Sequence, residues 1–277
     1  MQTPVIKNSS SRPPQLLEKG EMAYETINPA GSSPTILVCE HASNHIPKFF
    51  DELGLSEDVR QSHIAWDPGA RDLSIALSNM FDAPLVCSKI SRLVYDCNRP
   101  IDAPSAMPAE SEIYNISRNE NISPTEARAR FEQIYQPFSK VLDALILEKK
   151  SSAIQPILIT IHSFTPVYFG QRREVEIGIL HSEDSRLADP MLEEAKEIKN
   201  IRIERNQPYG PEDGVDHTLE IHGKKHGIPN VMIEVRNDLL ADSAGIETVA
   251  AILARLIKSG FANADFATVN SPNARDA

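Results

Sequence analysis

The sequence of 277 residues has few cysteines and no long hydrophobic run. Its three cysteines are odd in number and match neither a disulfide framework nor a CxxC metal site, so a reducing compartment is expected. No apolar run approaches the ~18 residues of a membrane span, and the N-terminus has no apolar core of signal-peptide length. These absences predict a soluble, cytoplasmic protein with no membrane partner.

The 39 acidic residues outnumber the 28 basic ones, and the net charge is -11. An acidic protein of this kind is not expected to bind nucleic acid over a broad face. A small anionic substrate remains compatible with the sequence, because a few local arginines and a metal ion can override the global field. Hydrophobic residues make up 41% of the chain, a globular balance that can supply a sizeable core.

Short apolar runs alternate with helical patterns between two polar ends. The ends, residues 1–20 and 262–277, are predicted to be flexible, and residues 21–261 to form one domain. Runs with apolar residues at successive positions predict strands that are covered on both faces. The predicted strands are Thr35–Cys39, Pro84–Ser88, Ile157–His162, Glu176–Leu180, Ile201–Glu204 and Val231–Val235.

The clearest helix signal follows Ser123, which is expected to cap the helix with Pro124 at its first position. Glu126 would complete a capping box, and Pro137 should kink or interrupt the apolar stripe that follows. Further helices are predicted over Asp67–Met80, Leu187–Lys199 and Ser243–Lys258. Strands alternating with helices predict an α/β fold, a three-layer sandwich with a largely parallel or mixed central sheet.

Three of the predicted strands end in residues suited to metal chemistry. Glu40 and His41 follow the first of them, His162 ends another, and Glu234 and Arg236 end the last. Ligands of such sheets bind beyond the carboxyl ends of the strands. Two histidines among carboxylates suit a zinc-type site with three protein ligands and a position for water, and Glu234 is then a general base. The alternative is structural histidines and a Glu234–Arg236 ion pair.

A second cluster lies in SRLVYDCNRP, which holds Arg92, Asp96, Asn98 and Arg99. An arginine fork with an adjacent amide donor is a plausible clamp for a substrate carboxylate, and a solvated turn with a local Arg–Asp pair is the alternative. Residues 100–122 show no periodicity, which favours a lid over the site, although a disordered excursion would look the same.

The remaining histidines are less informative. His217 follows a turn-rich stretch and is a candidate to reach the site. His222 and His226 have a spacing that could bind metal on a helix, but the glutamate of an HExxH motif is replaced by Gly223. We therefore predict that this pair is surface-exposed.

Taken together, the motifs resemble the N-formylglutamate amidohydrolase family, whose fold is similar to that of zinc-dependent exopeptidases. The resemblance runs from about Ile36 to Leu240 and rests on CEHASNHIP, WDPGARDL, SRLVYDCNRP, ITIHSF, NQPYGPEDGVDHTL and VMIEVRNDL. It implies a metal-dependent hydrolase of linear amide C–N bonds, with zinc as the expected metal. The substrate implied is a small anionic N-acyl amino acid such as N-formylglutamate, and the expected assembly is a monomer or small homo-oligomer.

The resemblance also suggests individual roles, because three stretches look like zinc carboxypeptidases. HASN resembles the HxxE metal motif and TIHSF the segment of the last histidine ligand, which implies His41 and His162 as ligands. IEVR resembles the strand with the catalytic glutamate, hence Glu234. The pair Asn98–Arg99 resembles the pair that holds a substrate carboxylate. The complete set of predicted substrate-binding residues is Arg92, Asn98, Arg99, His217 and Arg236.

The third metal ligand departs from the carboxypeptidase pattern, because Asn44 stands where HxxE has an acidic residue. Asp67 is preferred, since the resemblance includes an acidic residue in that segment. Glu40 and Asn44 stay as alternatives, and Asp67 before Pro68 could simply cap a helix. Two other functions remain open, namely a carboxypeptidase- or deacylase-like hydrolase of larger substrates, and a non-catalytic binder of anionic ligands with a degenerate site.

Overall fold

The structure is a computed structural model that describes residues 13–263. The outer parts of both predicted flexible ends, residues 1–12 and 264–277, lie outside the described residues. The strands are β1 (Tyr24–Ile27), β2 (Thr35–Cys39), β3 (Leu85–Ser88), β4 (Glu110–Ser111), β5 (Tyr114–Asn115), β6 (Ile157–Phe164), β7 (Val167–Tyr168), β8 (Gln171–Arg172), β9 (Ile177–Leu180), β10 (Ile203–Arg205) and β11 (Asn230–Arg236). The α-helices are α1 (Glu57–Gln61), α2 (Ala70–Phe81), α3 (Pro124–Arg130), α4 (Gln136–Ser151), α5 (Ala188–Ala195) and α6 (Ser243–Asn263).

Seven strands form one mixed sheet in the order β1-β3-β2-β6-β11-β9-β10. Strands β3, β2, β6 and β11 run parallel to one another, whereas β9 and β10 run antiparallel to β11 and β1 antiparallel to β3. The carboxyl ends of β2, β6 and β11 therefore meet at one edge of the sheet, as expected. The predicted α/β sandwich with a largely parallel, mixed sheet is confirmed.

Each of the six predicted strands is present, with ends that differ by at most a few residues. The sequence analysis missed β1, whose four residues are all half-buried. This strand pairs only with β3, at the edge of the sheet, so it lacks the continuous apolar run that marks the central strands.

The helical segment after Ser123 begins as predicted. The Ser123 hydroxyl accepts the N–H of Glu126 at 3.2 Å, but the Glu126 carboxylate bonds to Arg118 and Arg130 and does not complete a capping box. A π-helical turn, Phe131–Tyr135, joins α3 to α4 just before Pro137. This wider turn accommodates a residue that has no N–H to donate, so the helical run continues past the proline.

Helices cover both faces of the sheet, so alternate residues of each central strand enter different cores. In β2, Leu37 and Cys39 pack in the core that contains α2, α5 and α6, whereas Ile36 and Val38 pack in the core that contains α4. Leu16 and Leu17, within the N-terminal segment predicted to be flexible, are buried in this second core. Among residues 13–263, no helix is long and apolar enough to cross a membrane.

Candidate active site

Three side chains converge at the edge of the sheet where β2, β6 and β11 end. His41 Nδ1 lies 3.2 Å from Asp67 Oδ2, and His162 Nδ1 lies 3.0 Å from the same oxygen. The two Nδ1 atoms are 3.1 Å apart, so the three atoms form a nearly equilateral triangle. All three residues are buried. The structure thus brings together the two predicted histidines and the preferred third ligand.

Asp67 reaches this position through the loop that precedes α2. Its backbone N–H donates to the carbonyl of His41 at 2.9 Å, and its carboxylate accepts the N–H of Ser163 at 3.2 Å. The first residue of α2 is Ala70, and the residue before it is Gly69 in a left-handed conformation. The interpretation of Asp67 as a helix cap is therefore wrong, because the helix begins later and the carboxylate of Asp67 faces the two imidazoles.

Further carboxylates surround the imidazoles from behind. His41 Nε2 lies 2.7 Å from Asp96 Oδ1, and His162 Nε2 lies 3.2 Å from Glu40 Oε2. Metal-bound histidines usually hold their second ring nitrogen against a carboxylate in this manner, which fixes the tautomer and ring orientation. Glu40 thus lies behind His162, whereas Asn44 turns away and bonds to the Arg60 carbonyl and the Gln61 side chain.

Two buried carboxylates at this edge carry an oxygen that has no hydrogen-bond partner within the described residues, namely Oε1 of Glu40 and Oε2 of Glu234. Orphaned polar atoms in an interior are costly, and each needs an explanation such as an ion or a water. Two imidazoles and one carboxylate form a donor set that suits zinc, so these residues fit the metal that the sequence predicts.

The electrostatics of the triad favour a positive charge at its centre. Burial acts to raise the pKa of Asp67, but the two imidazoles outweigh it and hold this pKa below its ordinary value. Burial acts to lower the pKa of His162, but the nearby carboxylates of Glu40 and Asp67 hold it well above its ordinary value. A cation among these groups is thus stabilised, whether it is a proton or a metal ion.

Glu234 lies beside the triad on β11. It pairs in register with His162 on the adjacent parallel strand, so both side chains belong to the same end of the sheet. Its carboxyl is buried, and this burial raises its pKa to about 7. A carboxyl with a pKa near neutrality can accept and release a proton under ordinary conditions, as a general base must.

The triad and Glu234 line a cavity of about 330 Å³, a volume suited to a small molecule. Residues 100–122, the segment that the sequence favours as a lid, supply part of the cavity wall through Ser105, Pro108, Glu110, Ser111 and Glu112. Asn119 anchors this segment by donating to the carbonyls of Leu93 and Pro108. His63, which also lines the cavity, contacts this segment, with its Nε2 2.8 Å from Glu112 Oε1.

The predicted carboxylate clamp divides into residues with different partners. Arg92 contacts Asp96 at 2.9 Å and Asp67 at 3.4 Å, so existing carboxylates already engage its guanidinium. The Asn98 side-chain amide donates to the carbonyl of Val215 and accepts the N–H of Thr218. It therefore holds the backbone of residues 215–218 beside the cavity wall. Arg99 lines the cavity and forms no ion pair with any carboxylate of the described chain. Arg99 is therefore the cation best placed to meet an anionic ligand.

Two of the predicted substrate-binding residues are not among those that line the cavity. His217 bonds through Nε2 to the Tyr135 hydroxyl at 2.7 Å. Arg236 pairs with Asp238 at 2.8 Å and with Glu176 at 3.2 Å. The alternative pair between Glu234 and Arg236 is not formed.

Some cavity residues were not predicted. His63, Tyr168 and Tyr209 are among them. The contact of Asp96 with His41 was not predicted either. The first three lie in loops or a short hairpin without a periodic pattern, so no local signal marks them. Asp96 was noticed only as a local partner of Arg92. Its second contact, with His41 after β2, joins segments far apart in the sequence and depends on the order of strands in the sheet.

The fold is an α/β sandwich in which His41, Asp67 and His162 are buried together, beside the buried Glu234, at one edge of the sheet. The model of the N-formylglutamate amidohydrolase family matches residues 33–241. The chain therefore belongs to the N-formylglutamate amidohydrolase family, which confirms the predicted resemblance. It also confirms that the chain is a hydrolase acting on an amide bond.

Two solved structures share the fold of this chain. A gene product of Agrobacterium tumefaciens is 47% identical, with a TM-score of 0.88 over 90% of this chain and 98% of that one. N-formylglutamate amidohydrolase from Ralstonia eutropha JMP134 is 16% identical, with a TM-score of 0.63 over 88% of this chain and 98% of that one, a likeness of fold alone. No protein with a curated description matches the chain.

Proposed function

We propose that the protein hydrolyses N-formylglutamate to formate and glutamate with the help of a divalent metal ion, zinc in the first instance. The observation that carries this proposal is the triangle of His41 Nδ1, Asp67 Oδ2 and His162 Nδ1 beside the buried Glu234. Membership of the N-formylglutamate amidohydrolase family supports the choice of substrate.

His41, Asp67 and His162 would hold the ion, with Asp96 and Glu40 behind the two imidazoles. A bound zinc ion lowers the pKa of water towards neutrality and polarises a carbonyl. The contribution of the protein is the fixed orientation of both rings. Asp96 keeps the Nε2–H of His41 as a donor, so that its Nδ1 lone pair is left for the ion.

Glu234 is the proton carrier in this proposal. Its carboxylate takes a proton from the attacking water and passes it to the amide nitrogen, which leaves as the free amine. The pKa of about 7 suits both halves of this transfer. The unpartnered Oε2 of Glu234 is the oxygen that is available for this role.

Arg99 would bind a carboxylate of the substrate. Its guanidinium is planar and permanently charged, which matches the two oxygens of a carboxylate. Asn98 positions this wall by bonding to the backbone of Val215 and Thr218. The two tyrosines of the cavity, Tyr168 and Tyr209, complete a polar pocket for a small amino-acid derivative.

The test is a substrate panel with purified, zinc-loaded protein. N-formyl-glutamate should be hydrolysed with a higher kcat/KM than N-acetyl-glutamate, N-succinyl amino acids and short peptides. A preference for peptides would favour a carboxypeptidase-like enzyme, and tight binding without any product would favour a ligand-binding protein. A cytoplasmic location belongs to the same proposal, and the buried, unpaired state of Cys39, Cys87 and Cys97 supports it.

A further inference from the structure

A second cluster of metal-binding side chains lies away from the cavity, between α4 and the π-helical turn Leu219–Lys224. His222 Nδ1 lies 3.0 Å from Asp143 Oδ1, and His226 Nε2 lies 2.8 Å from the same oxygen. Within the described residues, this cluster and the active-site triad are the two groups of three such side chains whose ligand atoms lie within 4.8 Å of one another.

The prediction that these histidines are surface-exposed is wrong. His222 is buried at 2% exposure, and His226 is 12% exposed. The cause is the close packing of the turn against β11, because a Cβ added at Gly223 would lie 2.6 Å from Cγ of Asn230. The glycine that broke the HExxH pattern thus brings the helical turn, and His222 with it, into the protein.

From this geometry we propose that Asp143, His222 and His226 form a second binding site for a divalent transition-metal ion, distinct from the active site. Two imidazoles and a carboxylate suit Zn²⁺, Co²⁺ or Ni²⁺ better than Mg²⁺ or Ca²⁺, which prefer oxygen ligands. Ligands about 2.1 Å from a tetrahedral ion stand about 3.4 Å from one another. The observed separations of 2.8 and 3.0 Å need only a small opening to reach that value.

The surroundings of His222 support the site. Its Nε2 lies 3.3 Å from the hydroxyl of Ser139, one turn before Asp143 on α4. Ser139 can accept an N–H from Nε2, which leaves the Nδ1 lone pair for an ion, as partners behind metal-bound histidines do. Asp143 is 30% exposed, so an ion can enter the site from solvent. The buried ring of His222 lies on the inner side of the site.

Lys225 allows an independent test of metal binding at this site. Its ammonium lies 3.2 Å from Asp143 Oδ2 and is itself 59% exposed. A cation in this place competes with a metal ion for the carboxylate, so the lysine must weaken metal binding. Removing its charge should therefore tighten the site, whereas it would loosen a cluster held together only by ion pairs.

The experiment is equilibrium dialysis of the full-length, chelator-stripped protein against ZnCl₂, followed by elemental analysis. The wild type should bind two ions per chain, His226→Gln one, and the matched control His45→Gln two, since His45 is an exposed partner of Glu21. The variant His162→Ala tests the proposed active-site ion separately. A loss caused by His162→Ala but not by His226→Gln would overturn the second site and leave the proposed function intact.

Lys225→Gln keeps all three proposed ligands. It therefore tests the site even if the His226→Gln variant does not fold. It should lower the Zn²⁺ concentration for half-saturation of the second site at least about threefold. Zinc should also raise the thermal midpoint of the wild type more than that of His226→Gln, since only a folded site binds the ion. Equal zinc content in wild type and His226→Gln, or an unchanged affinity in Lys225→Gln, would overturn the proposal.

Discussion

His41 and His162 direct their Nδ1 atoms at each other across 3.1 Å. Carboxylates face both nitrogens of each ring, and a neutral imidazole has only one N–H to donate. If each ring donates from Nε2, both Nδ1 lone pairs face the Asp67 carboxylate. A cation held between the two rings and Asp67 removes this conflict. The residues around the two rings should therefore affect how tightly the protein binds a metal ion.

The carboxylate behind His41 should tune metal affinity. Asp96 lies 2.7 Å from Nε2 of His41, so Asp96→Asn removes a negative partner of the ring but keeps its shape. Loss of such a partner weakens metal binding by roughly 10- to 100-fold. Competition with a fluorescent chelator measures this affinity. Asp102→Asn, at an exposed position nearby in sequence, is the control and should bind zinc like the wild type.

The role of Glu234 predicts a separation of binding from turnover. Glu234→Gln should keep the metal content of the wild type and lose roughly 10²- to 10⁴-fold in kcat, because the amide cannot carry a proton between water and the leaving amine. Elemental analysis and steady-state kinetics on the same sample check both parts. Glu174→Gln changes an exposed glutamate and should leave both values unaltered. Full activity in Glu234→Gln would exclude it as the base.

Arg99 should govern substrate binding. Arg99→Ala removes a charge-assisted contact of about 1.5–3 kcal/mol, so kcat/KM should fall roughly 10- to 150-fold, mainly through KM. Arg99→Lys should recover part of the loss, since it restores charge but not the planar fork. Arg128→Ala, a change on the exposed face of α3, is the control. An unchanged KM in Arg99→Ala would show that another group binds the carboxylate.

The pH dependence of stability should report on His217. Burial first, and the proximity of His222 second, lower its pKa from 6.5 to about 4. As the pH falls below about 6.5, the unfolded chain binds a proton that the folded protein resists. The contribution to stability is complete above this pH and is lost as the pH falls towards about 4.

Thermal midpoints measured between these pH values should therefore fall less steeply for His217→Gln than for the wild type. His181→Gln is the control, and its curve should run parallel to that of the wild type. If the thermal midpoints of wild type and His217→Gln fell in parallel with pH, His217 would have to be protonated equally in the folded and the unfolded protein.

The sequence predicts the sheet well because its central strands are covered on both faces. Strands β2, β6 and β11 are covered on both faces, so they need apolar side chains at successive positions. The sequence shows this need as uninterrupted apolar runs. Once these strands are parallel, His41, His162 and Glu234 must meet at one edge, so the main site residues follow from local patterns. The edge strand β1 carries no such requirement and was missed.

The rest of the site depends on contacts between distant segments. The conformation of the loop before α2 decides that Asp67 faces the imidazoles while Asn44 faces Arg60 and Gln61. The contact of His41 with Asp96 spans 55 positions and requires β3 to lie next to β2. A spacing of four between His222 and His226 likewise could not show that their turn packs inward.

Chelation followed by metal replacement tests the central claim most directly. Hydrolysis of N-formyl-glutamate should be lost when the purified enzyme is stripped of metal. It should return when Zn²⁺ is added back to the wild type, but not when Zn²⁺ is added to His162→Ala. Undiminished hydrolysis by a wild-type sample that elemental analysis shows to be free of metal would contradict the account.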